Sequence, residues 1–405
     1  MTETGTVIGL DVGRNSAVAA ALETFPPNVL AFFKENRQKI VKIKPDLNGF
    51  QYLNSLNPTT LVMEPTGVWY SAIWHQWAKS QNVKVLWVGH ADLKAQRGHY
   101  GFRNKRDPED ALTLACCALD DRFVDTHGKP RFLQFDDGEV GRLRKLCLQD
   151  EQLSKLRTQV INQIRQRLAL EWPEASETAF QIGPKGYSPV PGFVAGINTS
   201  TRIKNRRAQS VAVSQGLEFD QYTIDHCKAL VTLEQRIVAV RAEMVKVCQT
   251  PSLLPYYQVL TNFGFGPGLA PLMLTQVYPF SQFLVDGKPV IEWEQNAKGD
   301  WQKRNRSLRS FQAYLGMAYK MAQSGDKLIK KFSGSSLIRS HLYIWAISQM
   351  SGKGTSFKTN TSQGKELDAK LKKLASGGVT GSDKIIRFMF KVTERLWSEL
   401  LKANL

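Results

Sequence analysis

The chain has 405 residues, enough to bury a large hydrophobic core and to form two or three domains. Its 54 lysines and arginines outnumber its 36 acidic residues, and the net charge of +18 favours a nucleic-acid partner. Five cysteines without CxxC spacing and histidines without HxxxH spacing argue against a zinc site and a disulfide framework. No apolar run approaches the roughly 20 residues of a membrane span, and no signal peptide is visible, so we expect a cytoplasmic protein with no membrane partner.

The first part of the chain, about residues 1–125, predicts an α/β domain with strands first and interleaved helices later. Strand patterns occur at 5–10, 16–22, 28–34, 38–44, 59–65 and 83–89, and helical patterns at 47–56, 68–80 and 107–120. At the start of the last helix, Pro108 fits N1 and Asp107 fits the N-cap, while Glu109 and Asp110 suit the helix dipole. By itself this stretch is an ordinary helix start.

Residues 126–252 predict a helical region. In a helix over about 138–171, Leu146, Leu153 and Val160 recur every seven residues. In a second helix over about 221–249, Leu230, Ile237 and Met244 have the same spacing. The pair predicts an antiparallel coiled-coil stalk, with two amphipathic core helices as the alternative. Between them, 173–220 is rich in Gly, Pro and Ser and predicts a basic, partly irregular insertion.

The remaining chain predicts a mainly helical domain over 253–350 and a tail over 351–405. Within the domain, 285–305 is expected to be an extra loop. The tail begins with a Ser-, Gly-, Thr- and Lys-rich stretch, 351–383, which is expected to be flexible, and ends in a helix over about 384–403.

Four acidic residues form the most informative pattern. Asp11 ends the first strand and Glu64 ends a later one, while Asp107 and Asp110 lie three apart on one helix face. A carboxylate at the end of a buried strand is costly unless it is paired or bound to a metal. Carboxylates that converge from separate elements suit Mg²⁺ or Mn²⁺, and two such ions clamp the attacking and leaving oxygens of a phosphodiester.

The order Asp, Glu, Asp-x-x-Asp on strand, strand and helix resembles the RuvC-type RNase H fold. The local sequence around the acids is similar to that of the DEDD insertion-sequence transposases of the IS110 family and of the related Piv-type DNA invertases. The stretches that carry this resemblance are "GLDVGRNS", "LVMEPTGVWY" and "RNKRDPEDALTLA". The E-x-T-G signature of that family corresponds to Glu64, Thr66 and Gly67. Its K-x-D-x-x-D-A signature begins at Lys105. The resemblance implies a metal site made of Asp11, Glu64, Asp107 and Asp110.

Two further stretches suit contact with nucleic acid. "FGFGPG" before an apolar helix resembles a helix-hairpin-helix turn, which grips a phosphate backbone, although a plain helix–helix turn also uses glycine. The stretch 299–346 has nine Lys or Arg against two Asp, interleaved with aromatic residues. The predicted nucleic-acid contacts are Arg103, Lys105, Arg106, Gly264, Gly266, Gly268, Lys303, Arg304, Arg306, Arg309, Lys320 and Lys327.

The transposase family follows its glycine-rich hairpin with a "GL-P" stretch and a Ser-Gly pair whose serine is the nucleophile. The corresponding motifs here are "FGFGPG", "YLGMAY" and "QSG", which map the nucleophile to Ser324. The proline after the glycine-leucine is absent, and the nearby Ser333, Ser335 and Ser336 are alternatives.

The resemblance therefore implies a recombinase that cuts and rejoins donor and target DNA through a covalent serine–DNA link. It also implies a homo-oligomer, dimer or tetramer, guided by a structured bridge RNA in bacterial cells near the nucleoid. The alternatives are a metal-dependent RuvC-like nuclease or Holliday-junction resolvase, a site-specific invertase, and a nucleic-acid-binding protein whose site has decayed.

Overall fold

This computed structural model describes residues 5–65, 69–125, 128–133, 138–295, 299–324, 327–351, 356–357 and 361–403; for 321–324, 327–330, 351 and 356–357 it describes the backbone. The chain divides into two compact units, Met1–Asp136 and Asp137–Leu405. None of the described helices combines the length and apolarity that a bilayer crossing requires. All five cysteines are buried and free.

The first unit is built around one mixed six-stranded sheet. Its elements are β1 (Thr6–Val12), β2 (Ala17–Leu22), α1 (Val29–Asn36), β3 (Val41–Ile43), α2 (Leu47–Ser55), β4 (Pro58–Met63), α3 (Ala72–Ser80), β5 (Lys84–Val88), α4 (His90–His99), α5 (Asp107–Leu119) and β6 (Phe132–Leu133). The strand order is β3-β2-β1-β4-β5-β6. Strands β4 and β5 run parallel to β1, and the other neighbouring pairs are antiparallel. The predicted α/β class of this region is confirmed.

Apolar layers cover both faces of this sheet, and the alternation of β1 decides which residue enters which layer. Ile8 and Leu10 face one layer, where they cluster with Trp74 and Trp77 of α3. Val7 faces the other layer, which α1 and α5 supply. Because Gly9 and Asp11 alternate with Ile8 and Leu10, they lie on the face that α5 covers.

Helix α5 packs directly on the backbone of β1 at Gly9. A Cβ atom on Gly9 would lie 2.0 Å from the carbonyl oxygen of Ala111 and 2.4 Å from the amide nitrogen of Ala115. Both contacts are with helix backbone, so no side-chain rearrangement could make room. The small residues of "GLD" and "ALTLACCAL" are therefore what allows this close approach of helix to strand.

The predicted strand over 28–34 is wrong, because these residues form helix α1. Asn28 is its N-cap, and its side chain accepts a hydrogen bond of 2.9 Å from the amide of Ala31. Val29 and Phe33, four residues apart, form the buried face. The run "NVLAFF" has no polar alternation, so its apolar character alone could not separate a strand from a short buried helix.

The second unit is mostly helical, as expected. Its elements are α6 (Glu139–Glu171), α7 (Pro173–Ser176), α8 (Pro189–Val194), α9 (Thr201–Ala208), α10 (Val211–Ser214), α11 (Gln221–Cys248), α12 (Leu254–Asn262), α13 (Leu269–Val277), β7 (Ile291–Gln295), β8 (Trp301–Asn305), α14 (Arg306–Tyr314), β9 (Ala318–Ser324), β10 (Lys327–Ser333), α15 (Ser336–Gln349), β11 (Met350–Ser351), β12 (Ser356–Phe357), α16 (Ser362–Ser376) and α17 (Gly381–Lys402). The predicted helices over 138–171, 221–249 and 384–403 are confirmed.

The long helices α6 and α11 pack against each other in antiparallel orientation. On α11 the predicted Leu230, Ile237 and Met244 are all buried. On α6 the predicted Leu146, Leu153 and Val160 are only half-buried. The buried positions of α6 instead form two runs with alternating steps of three and four, separated by eleven residues: Val140, Leu143, Cys147 and Asp150, then Ile161, Ile164, Leu168 and Glu171. The sequence placed this face wrongly because part of it is charged.

Two ion pairs occupy the charged stretch between α6 and α11. The Nε of Arg157 donates to Glu234 at 2.9 Å, and the Nε of Arg241 donates to Asp150 at 2.8 Å. Glu234 is fully buried and also accepts hydrogen bonds from the amide and hydroxyl of Ser188. A buried carboxylate is costly unless hydrogen bonds satisfy it. The bonds from Ser188 to Glu234 therefore hold the segment that contains Ser188 against both helices.

Two segments are more regular than the sequence suggests. The expected loop 285–305 contains the antiparallel hairpin of β7 and β8. The expected flexible stretch 351–383 contains helix α16, whose Leu367 and Leu371 are fully buried in a core cluster with residues of α17. The polar residues of α16 lie mostly on its solvent-facing side. The four-residue spacing of Leu367 and Leu371 is the sequence feature that indicates a helix.

We expect Gly9→Ala to destabilise the first unit by about 1–3 kcal/mol or more, because the new methyl group would push α5 away from β1. Gly98→Ala is the matched control: Gly98 lies within α4, and a Cβ there would meet nothing within 4 Å. Alanine favours helix over glycine, so this control should be neutral or slightly stabilising. Urea unfolding of the two variants measures the difference, and equal midpoints would contradict the role of Gly9.

Candidate active site

Asp11 and Glu64 lie side by side at the carboxyl-terminal edge of two neighbouring parallel strands. Leu10 of β1 is in register with Met63 of β4, so the next residues, Asp11 and Glu64, are level with each other. Adjacent strands lie about 4.8 Å apart. Glu64 is buried and Asp11 is half-buried. This edge is where ligands bind in open α/β sheets.

Asp107 and Asp110 lie in the first turn of α5. Arg106 is the N-cap, so Asp107 is the first helical residue, and the prediction that Asp107 caps the helix is wrong. Asp107 is exposed, whereas Asp110 is almost completely buried. Glu109, expected to serve only the helix dipole, is also buried. Two of the three acids of this turn, Glu109 and Asp110, are therefore buried rather than solvated.

Three of the predicted acids act on the charge of the fourth, Asp11. Burial, and after it repulsion by Asp107, Asp110 and Glu64, raises the pKa of Asp11 to about 7, while the nearby Lys105 lowers it. Such repulsion requires carboxylates that lie near one another. The structure thus places the four acids in one electrostatic cluster around Asp11, and this cluster favours the approach of a cation.

Two basic side chains of α4, which the sequence analysis did not single out, contact this cluster. Arg97 donates to Asp110 at 2.5 Å, and Nδ1 of His90 lies 2.8 Å from Glu64. The Arg97 side chain is only 12% exposed, so its pairing with Asp110 is largely shielded from water. One sequence feature could have indicated them. His90 and Arg97 are seven residues apart, so a helix between the fifth strand and the acidic turn carries both on one face.

No group of three or more His, Cys, Asp or Glu side chains within the described ranges has the arrangement of a metal site. Arg97 and His90 take up part of the acids' capacity. The donor set nevertheless fits a hard divalent cation, because it consists of carboxylates whose mutual repulsion a cation relieves. Of the signature residues, Thr66 and Gly67 lie outside the described residues. The basic side chains Arg103, Lys105 and Arg106 are all exposed beside this turn.

In the second unit, Ser324 is the last residue of β9. The strands β9 and β10 form an antiparallel hairpin in which Ser324 is opposite Lys327 and Lys320 is opposite Lys331. Lys320 is exposed, and the side chains of Ser324 and Lys327 lie outside the described part. Lysines on both strands make this hairpin strongly basic.

Two glycines allow the backbone at the ends of this hairpin to pack very closely. Gly316 precedes β9 with φ of +75°, and a Cβ there would lie 2.1 Å from the carbonyl oxygen of Ser335. Gly334 follows β10 with φ of +79°, and a Cβ there would lie 1.7 Å from the carbonyl oxygen of Ala313. Arg339 adds a hydrogen bond of 2.9 Å to the carbonyl oxygen of Gly316, and its guanidinium lies over the Phe332 ring. The base of the hairpin is therefore rigid.

The alternative serines differ in their surroundings. Ser335 is the N-cap of α15, and its hydroxyl accepts a hydrogen bond from the amide of Ile338. Ser333 is half-buried at the end of β10, and Ser336 is exposed in the first turn of α15. The helix cap gives Ser335 a structural role, since such caps typically contribute about 1 kcal/mol.

The glycine-rich turn connects α12 and α13. Phe263 and Phe265 anchor it in the core, where Phe265 meets Trp345 edge to face at 4.6 Å. The indole of Trp345 also donates to the carbonyl oxygen of Gly264. Gly264 has φ of +74°, and a Cβ on Gly266 would meet nothing within 4 Å. Gly268 lies against the guanidinium of Arg241. The turn presents glycine backbone outward and aromatic rings inward.

The predicted phosphate contacts near α14 are of two kinds. Arg304 and Arg306 pair with Glu294 and Glu292 at 2.9 and 2.6 Å, so carboxylates already neutralise them. Lys303 and Arg309 are exposed. Burial, and after it repulsion by Arg304 and Arg306, lowers the pKa of Arg309.

A family model described as "Transposase" (DEDD_Tnp_IS110) matches residues 8–173, a range that contains all four acids of the cluster. None of the curated proteins matches the chain.

Asp11→Asn is expected to raise the melting temperature in EDTA more at pH 8 than at pH 5. The pKa of about 7 in the folded protein exceeds the ordinary 3.8, so stability falls as the pH rises between these values. At pH 8 the asparagine removes a repelled charge, for a gain of at least about 2 °C. Asp121→Asn, at an exposed position, is the control and should show no pH-dependent gain. A gain of equal size at both pH values would contradict the electrostatic cluster.

Gly334→Ala should destabilise the second unit more than Gly378→Ala. Both glycines have left-handed φ, at +79° and +74°, which costs a side chain about 1–2 kcal/mol. A Cβ on Gly378 meets nothing within 4 Å, whereas on Gly334 it strikes the backbone of Ala313. The melting temperatures of the two variants are compared. A larger decrease for Gly334→Ala measures the close packing at the hairpin base, and equal decreases would show that only backbone strain matters.

Proposed function

The chain belongs to the IS110 family of insertion-sequence transposases, which cut and rejoin DNA, and from this premise we propose that it does so with divalent metal held by the acidic cluster and with Ser324 as nucleophile. The observation that supports the proposal is that Asp107, Asp110 and Glu64 all act on the charge of Asp11, inside the matched range.

We propose that the first unit has the RNase H-like fold of RuvC-type enzymes. The support is its strand order, with an antiparallel trio β1–β3 followed by β4 and β5 parallel to β1. In that arrangement the first strand is central and its acid faces the helix that carries the last two acids. The second unit would then supply a helical stalk of α6 and α11 and a transposase domain.

Mg²⁺ or Mn²⁺ at the cluster would polarise the scissile phosphate and stabilise the charge that develops on its oxygens. The side chains proposed as ligands are those of Asp11, Glu64, Asp107 and Asp110. Arg97 and His90 would position Asp110 and Glu64, because each makes a direct contact with its acid. Arg103, Lys105 and Arg106 would hold neighbouring phosphates of the DNA strand.

Ser324 would attack the phosphorus of one DNA phosphodiester. A bond forms between the serine oxygen and phosphorus as the bond to one sugar oxygen breaks, and the serine proton leaves while the released oxygen gains one. A hydroxyl of the strand to be joined then attacks the same phosphorus and releases the serine. One phosphodiester is exchanged for another, so no energy-supplying cofactor is needed.

The partners follow from the same family membership. We propose donor and target DNA, a structured bridge RNA that supplies specificity by base pairing, and a homo-oligomer in which the acids and the serine of one site come from different subunits. The outward glycines of the α12–α13 turn, together with Lys303, Arg309, Lys320 and Lys327, would contact phosphates. The net charge of +18 supports binding of such polyanions.

The chemistry is tested with purified protein, RNA transcribed from the DNA that flanks its gene, supercoiled DNA and Mg²⁺. We expect a covalent protein–DNA species on a denaturing gel. Ser324→Ala should abolish it, and Ser333→Ala and Ser336→Ala should retain it. Asp107→Asn should reduce it at least about 100-fold, since metal stabilisation of the transition state amounts to several kcal/mol.

Asp107 is the best acid to change, because its exposed side chain can be replaced without leaving a buried cation unpaired. A covalent species from Ser324→Ala would overturn the serine assignment. Cleavage without a covalent species, lost in Asp107→Asn but kept in Ser324→Ala, would indicate a RuvC-like nuclease. Unchanged activity in Asp107→Asn would overturn the metal site.

A further inference from the structure

The hairpin of β7 and β8 is fastened to α14 at its base. The amide of Arg306 donates to the carbonyl oxygen of Val290 at 2.9 Å, and the amide of Val290 donates to the buried hydroxyl of Ser307 at 2.9 Å. Strand β8 continues directly into α14. The hairpin is thus a fixed extension of the helix.

The two faces of this hairpin have opposite character. One face carries Glu292 and Glu294, which neutralise Arg304 and Arg306. The other face consists of Ile291, Trp293, Gln295, Trp301, Lys303 and Asn305, and we call it the tryptophan face. Trp293 and Trp301 are 63% and 64% exposed. None of these six residues is acidic, so the charge that this face presents is the positive charge of Lys303.

The register sets the spacing of the two indoles. Trp293 is opposite Lys303, and Gln295 is opposite Trp301, so the tryptophans are diagonal neighbours. Diagonal neighbours on one face lie about 7–8 Å apart. A base between two stacked rings occupies two intervals of about 3.4 Å, close to this separation. Lys303 is directly across from Trp293 and supplies a positive charge beside the two indoles.

We propose that the tryptophan face binds an unpaired nucleic-acid strand by stacking a base on Trp293 and Trp301 and pairing its phosphate with Lys303. A duplex fits less well, because its bases are already stacked and hidden from side chains outside the grooves. An apolar protein surface fits less well, because it would bury Lys303 without a counter-charge. The inference rests on the proposed function only in requiring a nucleic-acid partner, since it uses neither the acids nor Ser324.

The test is fluorescence anisotropy with the full chain in EDTA, where no metal-dependent cleavage can occur. The probes are labelled 15-nucleotide single strands of DNA and of RNA, a duplex of the same sequence, and an abasic strand of equal charge. Trp293→Leu/Trp301→Leu should weaken both base-bearing single strands about five- to 100-fold. It should change binding of the duplex and the abasic strand less than about twofold. Trp293→Phe/Trp301→Phe should retain most of the affinity.

Tyr222→Leu is the matched control, because Tyr222 is a 51% exposed aromatic residue of α11 that belongs to neither the tryptophan face nor the acidic cluster, and it should not change binding. Equal losses on the abasic and base-bearing strands would overturn stacking, as would no loss on any probe. A change of molecular mass in the leucine double variant, measured by sedimentation, would instead identify the tryptophan face as an interface between copies of the chain. Loss of covalent product in Ser324→Ala with normal strand binding would separate this surface from the chemistry.

Discussion

The contact of α5 with the backbone of Gly9 is the constraint on which the acidic cluster depends. The helix begins one turn before Ala111, and that first turn carries Asp107 and Asp110. With any side chain at position 9, the helix would lie farther from β1, and both acids would move away from Asp11. Functional side chains must be held to within about half an ångström of their working positions. A larger distance between α5 and β1 would therefore separate Asp107 and Asp110 from Asp11.

The same closeness creates an electrostatic cost that the fold meets locally. Burial, and after it repulsion by three neighbouring acids, raises the pKa of Asp11. Helix α4 supplies Arg97 and His90 to two of those neighbours, at one end of a chain segment that also supplies the basic loop before α5. Two of the acids around Asp11 therefore have basic partners within the first unit, and a raised carboxyl pKa beside such partners is typical of functional sites.

The sequence predicted the parts that follow from local patterns and missed those that depend on tertiary contact. Strand ends at Asp11 and Glu64 and the helix at Asp107 follow from apolar periodicity and helix-start residues. The role of Arg97 could not be predicted, because its partner Asp110 is 13 residues away and only the packing of α4 on α5 joins them. The buried face of α6 was misplaced because Asp150 and Arg157 look solvent-exposed until Arg241 and Glu234 of α11 are opposite them.

Helix α14 supports both elements of the second unit that the proposals concern. Its first residues hold the base of the β7–β8 hairpin through Val290 and Ser307, and its last turn meets Gly334 at the base of the β9–β10 hairpin. Between them, Phe311 is fully buried, and the side-chain amide of Gln312 donates a hydrogen bond to the hydroxyl of Thr393 in α17. These contacts hold α14 against the core. Nine residues of helix separate the two bases by about 13 Å, the length of roughly four stacked nucleotides. We propose that α14 in this way joins the surface that binds an unpaired strand to the base of the hairpin that carries Ser324.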